Sequence, residues 1–155
     1  MKYAEEHGEY EVSRSAQTIL FAGRGPWNEE TLRRGTEEIG GTIKQLDFNL
    51  AWGGLSCLFG ESLMPPSAYQ AFEKQTHYRK KIGMTALAVV IQDSEITNTI
   101  QNQLSKAYQS AEIDYVFLPS VEQAMAWLLE KGIIFNNQEV ITFFQQNLFV
   151  RPNQY

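Results

Sequence analysis

The chain is poor in the residues that build covalent or metal-bound scaffolds. Of 155 residues, one is cysteine (Cys57) and two are histidine (His7 and His77). That excludes a disulfide framework and any zinc site made from Cys and His alone. Positive charge is also scarce: 13 Lys and Arg against 18 Asp and Glu leave a net charge of −5. Nonspecific binding to a nucleic-acid backbone needs net or clustered positive potential, so no nucleic-acid partner is expected. No stretch approaches the ~18 consecutive apolar residues of a membrane span. The start, Met1-Lys2-Tyr3-Ala4-Glu5-Glu6-His7-Gly8-Glu9, has no apolar run of the kind a secretory signal needs, and a cytoplasmic location is expected.

What remains is ordinary globular material, 43% hydrophobic and 12% aromatic. A second core would need about 100 residues of its own, so one domain is expected over residues 1–155. The apolar period changes repeatedly along it. Tyr10-Glu11-Val12-Ser13-Arg14 alternates like an edge strand, and Thr18-Ile19-Leu20-Phe21-Ala22 reads as a central strand buried on both faces. Gly23-Arg24-Gly25-Pro26 should end that strand. Asn28 can cap a helix with Leu32, Ile39, Ile43 and Leu46 on one face, and Gly40-Gly41 should break it.

Leu55 to Phe59 reads as a strand, with Gly53-Gly54 as a turn before it. Pro65-Pro66-Ser67 opens a helix with Tyr69, Phe72 and Ile82 on its inner side. Thr85 to Ile91 is a continuous apolar run without proline and should be an interior strand. Asp93-Ser94 should cap a helix carrying Ile96, Ile100, Leu104, Ala107, Tyr108 and Ala111 at helical spacing. Tyr115 to Leu118 is a last strand. Ser120 caps a helix with Val121, Ala124, Met125 and Leu128, which Gly132 ends. Two strands followed by strand–helix alternations predict an α/β fold, a five-stranded mixed sheet flanked by helices. The core spans about residues 10–132, and 133–155 form a C-terminal extension with an extra helix from Asn136-Asn137.

Candidate chemistry is thin. Gly23-x-Gly25 follows a strand and precedes a helix, but the third glycine and the Lys-Ser/Thr of a phosphate loop are missing. Lys74, His77, Arg79, Lys80 and Lys81 crowd one helix end. There they complement the helix dipole, and they are also a candidate anion patch. Cys57 has apolar neighbours and reads as a small buried hydrophobe, slow toward thiol reagents. No Ser-His-Asp order, paired carboxylates or Gly-x-Ser-x-Gly elbow occurs, so no enzyme and no cofactor are expected.

Two segments carry a family likeness. His77-Tyr78-Arg79-Lys80-Lys81-Ile82 runs into Ala86-Leu87-Ala88-Val89-Val90. Val116-Phe117-Leu118-Pro119-Ser120-Val121-Glu122-Gln123-Ala124-Met125-Ala126-Trp127-Leu128 follows later. Together they resemble the SpoIIAA-like branch of STAS-related proteins over about residues 10 to 130. The resemblance implies a STAS-type mixed sheet and a domain used for regulation or ligand sensing. Anti-sigma antagonists of that group carry Asp-Ser-Ser/Thr-Gly, whose serine is phosphorylated. This chain reads Gly60-Glu61-Ser62-Leu63-Met64-Pro65-Pro66-Ser67-Ala68 instead, so the switch does not carry over. Ser62 and Ser67 are positional candidates alone.

Two functions follow as expectations. The first is a non-enzymatic STAS-like domain that binds another protein. Its candidate surface is Val140, Ile141, Phe144 and Leu148, widened by Phe143 and Phe149 and closed by homodimerisation or by the chain's own core. The second is a carrier or sensor of a small apolar, lipid-like ligand, as in CRAL-TRIO domains of similar topology. Its candidate pocket mouth is Trp52, Phe59, Leu63 and Met64, with Gly53 and Gly54.

Overall fold

Strand residues alternate between two apolar faces, and that alternation sets the layers. The protein is described by a computed structural model over residues 8–147. Its strands are β1 (Glu9–Ser15), β2 (Thr18–Arg24), β3 (Trp52–Phe59), β4 (Met84–Gln92) and β5 (Asp114–Leu118). They form one sheet in spatial order one to five, the expected five-stranded mixed sheet. A two-residue turn with Ala16 at φ 48° folds β1 back antiparallel on β2. All other neighbours are parallel. They are joined by α1 (Glu29–Ile43), α2 (Pro66–Lys81) and α3 (Thr97–Ser110).

Crossovers of one hand between strands laid down in order must fall on one face. α1, α2 and α3 do so, over Ile19, Trp52, Leu58, Met84, Leu87 and Val89. The opposite face presents Leu20, Leu55, Cys57, Phe59, Ala88 and Val90. It is covered by α4 (Val121–Glu130) and α5 (Asn137–Gln146). β2, β3 and β4 are therefore buried on both sides, as their unbroken apolar runs predict. β4 is interior, between β3 and β5.

Caps follow the local sequence in three helices. Asn28 Oδ1 accepts from Thr31 N at 2.9 Å, Ser120 Oγ from Gln123 N at 3.2 Å, and Asn136 Oδ1 from Glu139 N at 2.9 Å. Four local expectations are corrected. α1 runs through Gly40-Gly41 to Ile43, because Ile39 and Ile43 dock on the sheet-side core and packing outweighs propensity. β2 continues through Gly23 to Arg24, paired with β1 and β3. Gly53 and Gly54 lie inside β3, not in a turn. A Cβ on Gly53 would meet Ala86 O at 2.6 Å, where the register shifts past Thr85. The third helix starts at Thr97, later than Asp93-Ser94 suggests, since Asp93 adopts φ 56° and Ser94 Oγ turns back to Ile96 N at 3.1 Å.

Candidate functional site

The lining of one cavity can be traced to three periodicities in the sequence. On α2, Phe72, Thr76 and Arg79 stand at helical spacing and share a face. On α3, Leu104 and Tyr108 do the same; on α1, Leu32, Thr36, Ile39 and Ile43 do. Beneath them, alternate sheet residues Ile19, Phe21, Gly54, Ser56, Leu58 and Leu87 form the floor. Together these enclose a partly open cavity of about 110 Å³ between the sheet and α1–α3. Gly54 leaves room there, because a Cβ would come within 3.1 Å of Leu87 Cδ1.

Aromatic rings fix the walls. Tyr10 stacks on Phe21 at 6.0 Å, and Phe21 meets Trp27 at 6.1 Å. On the other side, Tyr108 packs against Phe72 at 6.0 Å, Tyr115 at 5.2 Å and Phe117 at 6.4 Å. Three ring contacts hold the Tyr108 side chain in place, and burial pushes its phenol pKa up, so the hydroxyl keeps its proton.

Arg79 is the single charged residue among the described residues that line the cavity. Burial lowers its guanidinium pKa, and the neighbouring Tyr108 acts in the opposite direction. No described residue makes a hydrogen bond or ion pair with either side chain, and their polar atoms are not sealed from solvent. The Arg79 guanidinium is half-buried and keeps some contact with water, and it cannot shed its proton at neutral pH.

The structure divides the candidate anion patch. Lys74, His77, Lys80 and Lys81 stay exposed on the outside of α2, with His77 Nε2 2.8 Å from Ser110 Oγ. Arg79 turns inward. Phe72-x₃-Thr76-x₂-Arg79 carried that signal: an arginine in phase with the inner phenylalanine. The candidate pocket is divided too. Trp52, Met64 and Gly54 line the cavity. Phe59 belongs to the opposite core, because odd and even positions of β3 face opposite ways. Leu63 packs against the sheet-side core outside the lining, and Gly53 faces the far side, toward Ile133.

Of the candidate interaction surface, Val140 and Phe144 are buried against the chain's own sheet, at 0% and 9% exposure. Ile141 and Phe143 pack beside them. Leu148 and Phe149 lie outside the described residues. Cys57 is buried in that same core.

Gly23-x-Gly25 is a packing feature. A Cβ on Gly23 would meet the Trp27 ring at 2.6 Å, and one on Gly25 would meet Ser62 Cα at 2.5 Å. Gly25 N donates to Ser62 Oγ at 3.1 Å, so that amide is already used. Beyond it, at the carboxyl ends of β2 and β4, Arg24 Nη2 lies 3.9 Å from Asp93 Oδ2, with its guanidinium 6.0 Å over the Phe59 ring. Ser94 Oγ donates to Glu61 Oε1 at 2.5 Å. Among the described residues no three His, Cys, Asp or Glu gather where they could hold a metal ion. No described helix is long and apolar enough to cross a membrane. No family model matches the chain, and neither a curated protein nor a solved structure matches it.

Proposed function

We propose that this protein binds a small, largely apolar molecule between its sheet and α1–α3, as a carrier or sensor. The observation that carries the reading is the cavity itself, about 110 Å³ and lined mainly by apolar side chains from three helices and four strands. Apolar cavities on the order of 150 Å³ hold a ligand the size of benzene, which sets the scale of the guest. A packed core leaves few voids larger than a water, so one this size at a helix–sheet boundary calls for an occupant. The STAS-like resemblance of residues 10–130 supports the same reading, since it implies a ligand-sensing or regulatory domain. The protein-binding alternative has less to stand on, because Val140 and Phe144 are spent on the chain's own core.

Trp27 and Trp52 line the cavity, whereas Trp127 packs on the opposite face. A Trp127→Phe chain therefore reports on the cavity through two indoles. Titration with 1-hexanol should change its emission saturably and raise its Tm by mass action. Ser56→Leu, which fills the floor, should remove both responses while the protein stays folded. Unchanged emission and Tm across the titration would defeat the reading, as would a response that survives Ser56→Leu.

A further inference from the structure

Resting on the cavity reading, we infer that the ligand is an amphipathic monocarboxylate. Its apolar body is on the scale of one aromatic ring or a short aliphatic chain. Its head is held by the Arg79 guanidinium beside the Tyr108 hydroxyl.

Charge balance argues for this head group. The lining holds one fixed positive charge and no carboxylate of its own. A neutral guest would cover Arg79 and leave it unpaired, whereas a single carboxylate neutralises it. Shape agrees, since the planar guanidinium fork matches a carboxylate with two parallel hydrogen bonds. Tyr108 keeps its proton and can donate a further bond, and its ring contacts already orient it. A phosphate head fits less well. It carries more charge and more acceptors than one guanidinium satisfies, and Lys74, His77, Lys80 and Lys81 lie outside the lining. The rest of the wall, including Phe21, Trp27, Leu58 and Leu87, is suited to the apolar body.

The test compares matched probes on the full-length protein by calorimetry: hexanoate with 1-hexanol, phenylacetate with 2-phenylethanol, and hexyl phosphate. The carboxylates should bind at least about tenfold more tightly than the alcohols, as expected for a charge-assisted contact. Arg79→Gln should erase that difference by weakening carboxylate binding far more than alcohol binding. Tyr108→Phe should weaken the carboxylates by a smaller factor. The wild-type comparison needs no variant, so the inference is testable even if a substitution perturbs folding. Equal affinity of wild-type protein for acid and alcohol overturns the head-group assignment and leaves the apolar cavity reading standing. Tighter binding of hexyl phosphate than hexanoate overturns it as well. Failure of every probe to bind defeats both readings.

Discussion

Ser62 shows how one side chain can be given away by its neighbours. It follows a strand end and looks like turn chemistry, and the structure gives it two partners. Its hydroxyl donates to Phe59 O at 3.0 Å and accepts from Gly25 N at 3.1 Å, at 1% exposure. Ser67, five positions on, is exposed in the first turn of α2. The two serines that occupied comparable places in the sequence therefore differ in kind. Ser62→Ala strands a buried amide and should destabilise by about 1–3 kcal/mol. Ser67→Ala should stay within about 0.5 kcal/mol of wild type. Urea unfolding of both variants checks this; equal midpoints would show that the Gly25–Ser62 link contributes nothing. Arg79 teaches the same lesson in reverse. Its neighbours Lys80 and Lys81 made it look like part of a surface patch, and helical phase, not local composition, decided where it went.

At the scale of elements, strands were legible wherever apolar runs were unbroken, and helices wherever spacing and caps agreed. β2 and β4 are interior, and Asn28, Ser120 and Asn136 cap as their residue types require. Glycine was the source of error in both directions. Gly53 and Gly54 lie within a strand because a sheet partner and a cavity need the space, which no local rule encodes. Gly40 and Gly41 lie within a helix whose inner face anchors it from both sides of the pair. A Cβ at either position would meet nothing within 4 Å, so there these glycines cost helix propensity without a packing return. Gly40→Ala and Gly41→Ala should each stabilise the protein by about 0.5–1 kcal/mol. For a domain of this size the pair should raise Tm by roughly 2–8 °C. A lower Tm in calorimetry would mean that the pair serves a bend the helix needs.

At the scale of the whole molecule, the sequence announced an apolar tail but not what covers it. Strand order decides that. With α1–α3 committed to one face by their crossovers, the other face of β1 and β2 is left to whatever follows α4. The segment after Gly132 is bound there in detail. Gln17 N and Thr18 Oγ1 both donate to Ile134 O, at 3.0 and 3.1 Å. Asn136 N donates to Ser15 Oγ at 2.8 Å, and Ser15 Oγ donates to Glu139 Oε1 at 2.7 Å. Ile133, Val140 and Phe144 then close over Leu20 and Ala22. Each large side chain buried this way contributes about 1.5–3 kcal/mol, against a total stability of about 5–15 kcal/mol for a typical domain. A chain ending at Gly132 loses all three and uncovers one face of two strands. It should lack cooperative unfolding and bind a hydrophobic dye, as a compact state without fixed packing does. A folded, monomeric truncated chain beside a dimeric full-length protein, measured by sedimentation, would assign the tail to association instead. The hydrogen bonds from Ser15, Gln17 and Thr18 argue against that outcome. They fix the tail to its own hairpin through main-chain and side-chain groups alike, and the apolar contacts of α5 follow from where that linker places it.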